Sequence, residues 1–537
     1  MLPDLPILTR NTYKSEFSGA SYNPRTLIAK LPEPGIISLE KSNDFAQMFE
    51  YNATTIHERV HWFQHHGTSF GCFLESLRSS QVITTLRRLR EMPSSKVKEL
   101  LNQRTNFSKP ILEIHQQEQY PIFDEENDNH EMNTFRQIWF DHQWLHIMLE
   151  DSSVLQSELR LRPIPESAFG EVIANVMLTL HGDFGFLPNN KNVMSIDYFE
   201  SRKWFSVAEG EMIFTSWKSE HLTSRILMES AATISEIQLF RNTIHAWSRL
   251  IEESDLVKAL ENRVNRILKG DYGLPVRILL QELNVDFSLD FNLFFDILPT
   301  VNVLCFIALN PPLPPYVMSP PCDASSWRWQ DIYPPIRFIQ LAQYVKKIGL
   351  LNDWQNHKAI SSYIDKVCDL YKIPHVINLN YPERLKRDGT CNFSEDRTEY
   401  PDPCGTIHHD YVFWVQSRMA HYRLTSLPLM VSLGDCMGGD LAVKHSQELL
   451  YERTGVVPFS YSPFCWNKNN TLGFLCPSNF GNALMPAIAC SYAAFDLVVG
   501  TGKYDLSQFP GEVSADEEFY SLLERSILHM TTEVKNQ

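Results

Sequence analysis

The chain lacks any excess of basic charge. Its 48 lysines and arginines are outnumbered by 64 aspartates and glutamates, and the formal net charge is −16. A nucleic-acid-binding surface needs concentrated positive charge to neutralise phosphates. The densest basic stretch, residues 87–90, is followed by Glu91 and is typical of a solvated helix face. We therefore expect no nucleic-acid partner.

Long hydrophobic runs and an export signal are also missing. The most apolar stretch, residues 303–309, is far shorter than the roughly 20 residues that cross a bilayer. Residues 1–6 have neither a basic start nor a continuous apolar segment, so no signal peptide is expected. The sequence predicts a soluble cytoplasmic protein without a membrane partner.

The ten cysteines have no regular spacing, and no CxxC pair occurs. In a chain expected to stay in a reducing compartment, such cysteines are more typical of buried thiols than of a disulfide framework. Cys391, Cys404, His408 and His409 are residue types that bind structural zinc, but their spacing matches no standard zinc finger. We favour buried thiols in a loop-rich region.

The segment His57-Glu58-Arg59-Val60-His61 is the most informative one that the chain does contain. Histidines four residues apart lie on one face of a helix, and the glutamate beside the first can act as a general base. No proline or glycine occurs between Asp44 and Gly67, which predicts one helix over about residues 44–66.

Apolar side chains recur at helical spacing in this segment and form a stripe that we expect to face the core: Phe45, Phe49, Ile56, Val60 and Phe63. The two histidines and Glu58 lie on the adjoining face. Residues 35–40, just upstream, are typical of a short strand.

A strand leading into a helix with this motif resembles the active-site region of zincin metallopeptidases, and within them the gluzincin-like branch. The resemblance covers about residues 35–75. The longer pattern of residues 57–64, followed by glycines at positions 67 and 71, is similar to intracellular bacterial zincins with an HExxHxxQ pattern. Metzincins are excluded because they require glycine at position 64 and histidine at position 67, where this chain has Gln64 and Gly67.

The resemblance implies a zinc ion held by His57 and His61, with Glu58 as the general base. It also implies a third ligand, a glutamate on a downstream helix. Glu229 is the best candidate, because the small residues at positions 230–232 would let its helix approach closely. Other candidates for this ligand are Glu75, His65 and Glu236, and an exposed Glu229 without a ligand role also stays open.

Weaker hypotheses concern metal binding by a second histidine pair and the stabilisation of an oxyanion by another histidine. His142 and His146 are also four residues apart, but Gln143 stands where the general base would be, so helical core or surface histidines are the commoner explanation. His221 is one candidate for stabilising an oxyanion.

The expected fold class is α+β and predominantly helical. We expect a zincin-like domain over residues 1–310 that carries a small sheet, the active-site helix and a helical insertion over about residues 70–220. A Pro-rich connector follows at residues 311–336. Residues 337–537 form a C-terminal domain of unknown role, helical to about residue 372 and irregular beyond it, which regulates the site or binds substrate or a partner.

The predicted function is that of an intracellular zinc-dependent endopeptidase with a narrow substrate range, acting on a protein or peptide. A regulatory protein partner is a further expectation. By analogy alone, such proteases occur in bacterial stress, toxin and anti-phage systems. Two alternatives stay open: a non-catalytic scaffold that keeps the fold, and a zinc hydrolase of a non-peptide amide or ester.

Overall fold

In a computed structural model of the 537-residue chain, the described residues are mostly helical and form two small sheets. The structure describes residues 21–24, 26–31, 42–91, 215–247, 253–285, 291–313, 332–373 and 406–431. It also describes shorter stretches and single positions between residues 93 and 180 and between residues 315 and 488. None of the described helices is long and apolar enough to cross a membrane.

The helices of the described residues are, in chain order, α1 Ser42–Gly67, α2 Ser69–Glu91, α3 Ser224–Trp247, α4 Glu253–Lys269, α5 Leu274–Glu282, α6 Phe291–Ala308, α7 Pro334–Ile348, α8 His357–Tyr371, α9 Thr406–Thr425 and α10 Leu427–Val431. A 3-10 turn at Asp271–Gly273 joins α4 to α5.

The larger sheet has four strands in the order β1-β2-β5-β6: β1 Ser21–Asn23, β2 Ile28–Lys30, β5 Phe464–Trp466 and β6 Leu472–Phe474. The β2–β5 pair is parallel, whereas β1–β2 and β5–β6 are antiparallel. The second sheet is a hairpin of β3 Thr215–Trp217 and β4 Glu220–Leu222. Lys218 and Ser219 form its two-residue turn with positive φ at both positions, as a type I′ turn requires.

The helix predicted over residues 44–66 is confirmed, because α1 spans Ser42–Gly67. The expectation of a predominantly helical chain is confirmed in the described residues, where α2 lies in the predicted insertion and the hairpin of β3 and β4 lies at its end. The strand predicted at residues 35–40 lies outside the described residues. The interpretation of residues 373–537 as irregular was wrong for residues 406–431, which form α9 and α10.

The main apolar core lies among α3 to α8 and reaches α1 at Ala53 and α10 at Leu427. Leu304 of α6, and Phe338 and Leu341 of α7, are fully buried in it. Burying such side chains removes hydrocarbon from water and is the main stabilising contribution to a fold of this kind.

The Pro-rich segment lies in the chain between α6 and α7, and these two helices pack against each other. Arg337 of α7 donates a hydrogen bond from Nε to the carbonyl oxygen of Ala308 at the end of α6, at 3.2 Å. Residues from both sides of the segment share the apolar core. The division into residues 1–310 and 337–537 therefore remains a prediction, and a boundary there would cut across one packed region.

Candidate metal centre

The C-terminal half of α1 is buried on all of its faces. The apolar stripe is inside as predicted at Ile56, Val60 and Phe63, but His57, Glu58 and His61 on the adjoining face are equally inaccessible, at 0–1% exposure. Its apolar pattern thus identifies one buried face and misses the burial of the polar face. Polar side chains are rarely buried to this extent unless they are paired or bind a ligand.

The turn from α1 to α2 is tight because residue 71 is glycine. A Cβ atom at Gly71 would lie 2.1 Å from the carbonyl oxygen of Gln64 and 2.6 Å from the Cα atom of His65. The hydroxyl of Thr68 accepts a hydrogen bond from the Gly71 amide at 3.0 Å, which caps the start of α2. This corner keeps α2 against the last turn of α1.

The helix α3 brings a carboxylate to the other side of the site. Its N-terminus is capped by Thr223, whose hydroxyl accepts a hydrogen bond from the amide of Ile226 at 3.1 Å. Ser230 and Ala232 are fully buried, and α1 makes its most extensive helix contacts with α3. Ser230 and Ala232 are two of the three small residues predicted to allow a close approach, and Glu229 beside them is completely buried.

Three ligand atoms converge between α1 and α3. The Nε2 atoms of His57 and His61 are 3.0 Å apart, and Oε2 of Glu229 lies 3.3 Å from the former and 3.7 Å from the latter. The centre of a triangle with these sides lies about 2 Å from each atom, close to the roughly 2.0–2.2 Å at which zinc binds nitrogen and carboxylate oxygen. In the described part of the chain, these residues are the one group of three whose ligand atoms all lie within 4.8 Å of one another.

Both histidines are held from behind through Nδ1. Nδ1 of His57 contacts Oε1 of Glu236, a carboxylate that can only accept a hydrogen bond when ionised. Nδ1 of His61 lies 2.8 Å from Oε1 of Gln64, whose own Nε2 donates to the carbonyl oxygen of Met228 at 2.8 Å. The second contact orients the Gln64 amide, so its oxygen faces His61 and accepts.

These contacts place a proton on Nδ1 of each ring. In the neutral imidazoles, the Nε2 lone pairs then point toward each other and toward the Glu229 carboxylate. Three electron-pair donors at such distances repel unless a positive charge lies between them. The donor set therefore fits a divalent cation of the kind that binds imidazole and carboxylate together.

The pKa shifts of the ligands agree with this preference for positive charge. Burial lowers the pKa of His57, but Glu236 and Glu229 outweigh burial and hold it well above its usual value. Burial opposes ionisation of Glu229, yet the two histidines outweigh it and lower the pKa of this carboxyl to about 2. For His61 burial prevails, and its pKa is lowered. The centre thus favours either an extra proton or a metal cation.

Arg263 of α4 supports the carboxylate behind His57. Its Nη2 contacts Oε2 of Glu236, and both side chains are at least 90% buried. Burial raises the pKa of Glu236, but Arg263 and then His57 outweigh burial and lower it. Glu236 is therefore ionised, and it connects a residue of α4 to a ligand on α1.

Glu58 lies beside the three ligand atoms without being one of them. Its carboxylate makes no close hydrogen bond within the described part of the chain, although the backbone of Tyr22 favours its ionised form. Burial raises the pKa of Glu58 well above its usual value; His57 opposes this, and Glu229 and Glu236 add to it. A cation at the centre would act in the same direction as His57 and favour the carboxylate.

The alternative candidates for the third ligand lie elsewhere. Glu236 faces Nδ1 of His57, away from the centre. Glu75 pairs with Arg78 of α2. His65 is buried against the ring of Tyr22, with ring centroids 5.9 Å apart. Of the candidates, Glu229 is the one that the structure brings to both histidines.

The remaining histidine candidates are not brought to the centre. His221 lies on β4 and is exposed. His142 is 3.0 Å from the hydroxyl of Ser80, and Nδ1 of His146 is 3.2 Å from Glu150. Cys391 and Cys404 lie outside the described residues, so the structural-zinc hypothesis stays untested there.

Three contacts that support the ligands were not predicted from the sequence: Gln64 with His61, Glu236 with His57, and Arg263 with Glu236. Gln64 was noted only as part of a motif, and its hydrogen bond to His61 is a local contact that the three-residue spacing could have indicated. Glu236 and Arg263 were missed as supports of His57, because their contacts join residues distant in sequence.

Comparison with protein-family models, curated proteins and solved structures finds no match to this chain.

Proposed function

We propose that the chain is a zinc-dependent peptidase in which His57, His61 and Glu229 hold the ion and Glu58 is the general base. The observation that carries the proposal is the convergence of Nε2 of His57, Nε2 of His61 and Oε2 of Glu229 around one point, with the carboxylate of Glu58 beside them. The resemblance of residues 35–75 to zincins supports zinc as the metal and a peptide bond as the substrate.

Each residue then has a definite task. A bound zinc ion would lower the pKa of its water to about 7 and polarise a substrate carbonyl. Glu58 accepts the proton of the attacking water and returns it to the leaving amine. Glu236 and Gln64 keep the two imidazoles oriented with Nε2 toward the centre. Arg263 keeps Glu236 ionised.

The complete burial of the centre supports a second candidate function. His57, Glu58, His61 and Glu229 are each at most 1% exposed, so this conformation does not admit a peptide. A scaffold with a structural ion would need no access at all. A peptidase would need part of the cover over α1 to open when substrate binds.

Replacing Glu58 by Gln separates the two candidates. The amide keeps the shape of the side chain but cannot accept the proton, so a peptidase should lose about 10²–10⁴-fold in activity. Metal content should stay at the wild-type value, because Glu58 is not a ligand. Activity would be measured on fluorescent casein and a quenched peptide library.

An inactive wild-type protein that nevertheless holds one zinc ion per chain would favour the scaffold. Activity of Glu58→Gln within about tenfold of wild type would contradict a general-base role. Hydrolysis of an ester or a non-peptide amide, without peptide cleavage, would instead favour a zinc hydrolase of another substrate class.

A further inference from the structure

A second group of buried polar side chains lies beyond the metal centre, toward the C-terminal end of α1. The group, here called the histidine cluster, consists of His66 of α1, Arg78 of α2, and His408 and His409 of α9. Their exposures are 0%, 9%, 8% and 4%, so all four are largely shielded from water. Ser79, next to Arg78, contacts His409, and α9 packs against α1, so three helices contribute nitrogen-bearing side chains to one part of the interior.

Contacts in the described chain hold parts of the cluster in place. The Tyr22 hydroxyl lies 3.0 Å from Nε2 of His66, and the Ser79 hydroxyl lies 3.0 Å from Nδ1 of His409. The rings of His408 and His409 stack with centroids 5.1 Å apart. These contacts engage one nitrogen of His66 and one of His409.

Three other ring nitrogens, on His408 and His66, have no such partner among the described residues. Both ring nitrogens of His408 and Nδ1 of His66 are buried without a hydrogen-bond partner among the described residues. Buried polar atoms in proteins are nearly always paired, and leaving one unpaired costs the free energy of its lost hydration. These three ring nitrogens, two on His408 and one on His66, indicate a place for an additional group.

The surroundings favour an anion as that group. The carboxylate of Glu75 already pairs with Arg78. His408 and His409 lie in the first turn of α9, where the helix dipole favours negative charge. A second metal ion fits less well, because Arg78 is a cation and the three histidines do not bring ligand atoms within 4.8 Å of one another.

The pKa values of all three histidines in the cluster are lowered by their surroundings. Burial lowers the pKa of His66 to about 3, and Arg78 acts in the same direction. Burial lowers the pKa of His409 to about 4. The pKa of His408 lies well below its usual value, mainly because of burial. Smaller contributions in the same direction come from His409, His66 and Arg78. Without an anion, the three imidazoles are therefore neutral near pH 7.

We propose that His66, Arg78, His408 and His409 form a binding site for one small oxyanion, a phosphate or a carboxylate group. The site is on the same helix as the metal ligands, five residues beyond His61, which corresponds to about 7.5 Å along the axis. It does not depend on the identity of the metal or on catalysis at the centre.

Calorimetric titration of the purified full-length chain with inorganic phosphate, and separately with acetate, tests the site. We expect saturable binding of at least one of the two anions, with about one equivalent per chain, and an increase in thermal stability with anion concentration. The preferred anion distinguishes a phosphate ligand from a carboxylate. Metal content is measured on the same samples, so that failure of this site and failure of the metal centre give different results.

His408→Gln removes an imidazole that can become charged and should weaken anion binding at least tenfold. Arg78→Lys keeps the charge but loses the planar donor geometry, and should weaken binding as well. His375→Gln is the control, because His375 is partly exposed and pairs with Asp365 and Asp369 instead. Absence of binding to either anion in the wild type, or equal binding in the wild type and a folded His408→Gln protein, would overturn the proposal.

Discussion

Two buried regions of this protein are equally inaccessible to water but differ in whether their buried charged groups have hydrogen-bond partners. In the apolar core around α6 and α7, the buried cation Arg337 donates hydrogen bonds to the carbonyl oxygens of Ile307 and Ala308 at 3.0 and 3.2 Å. Around α1, by contrast, both carboxylate oxygens of Glu58 and of Glu229 lack a hydrogen bond of normal geometry within the described residues.

This difference indicates that burial serves stability in one region and ligand binding in the other. In the apolar core, hydrocarbon contacts stabilise the fold, and the arginine satisfies carbonyls at the end of α6 that the helix leaves unpaired. Around α1, burial of carboxylate oxygens that lack a normal hydrogen bond costs stability unless a ligand completes them. We infer that the first region maintains the fold and that the second is arranged for binding.

The largest effect on stability should come from the apolar core. Leu341→Ala removes a fully buried side chain of α7 and should lower the free energy of unfolding by about 2–5 kcal/mol. Leu424→Ala is the matched control, because Leu424 is 45% exposed and should change stability by at most about 0.5 kcal/mol. Denaturant unfolding measures both, and folded Leu341→Ala protein should keep its metal. Loss of metal from the folded variant would mean that the two regions are not separable.

A smaller effect, confined to the metal, should follow from Arg263→Gln. Without the guanidinium, Glu236 loses the partner that keeps it ionised and oriented against His57, and metal affinity should fall about 10–100-fold. Arg241→Gln is the control on the exposed surface of α3. Affinity is measured by competition with a chromophoric chelator, and Arg263→Lys should recover part of it. Equal metal affinity in Arg263→Gln and Arg241→Gln would contradict a role of Arg263 and Glu236 in metal binding.

The smallest expected effect is a shift in the pH dependence of metal binding. A proton on Nε2 of His57 competes with the cation. Because Glu236 and Glu229 outweigh burial and raise the pKa of His57, this competition should begin at a higher pH than for an ordinary histidine, and affinity should fall as the pH decreases through the raised pKa. Glu236→Gln weakens the raising interaction, so its loss of affinity should begin at a lower pH. An unchanged pH midpoint in this variant would contradict the assigned role of Glu236.

Local sequence patterns predicted the elements that position the centre. The absence of proline and glycine gave the extent of α1, and the small residues at positions 230–232 identified the helix that brings Glu229 to the histidines. Burial of the polar face of α1 was not predictable in this way, because it depends on helices distant in sequence. The same holds for α9, whose apolar and polar side chains are distributed around the helix and show no single stripe.

The residues that support the two histidines also differ in whether their contacts are local or long-range in sequence. Gln64 lies three residues from His61 on one helix, so helical spacing alone makes their contact reachable. Glu236 reaches His57 across 179 residues of sequence, and only the packing of α3 against α1 brings the two together. A heptad separates Glu229 from Glu236, which places both carboxylates on one face of α3 but does not show that they serve the same histidine from different sides.

Metal analysis of the purified chain tests the central claim most directly. Inductively coupled plasma mass spectrometry should find about one zinc ion per wild-type chain and an equal amount in Glu58→Gln. His57→Ala, His61→Ala and Glu229→Gln should each lose stoichiometric zinc while remaining folded by circular dichroism. Stoichiometric zinc in folded His57→Ala and His61→Ala proteins, or a wild-type chain that takes up no zinc when titrated with it, would contradict the assignment of this centre.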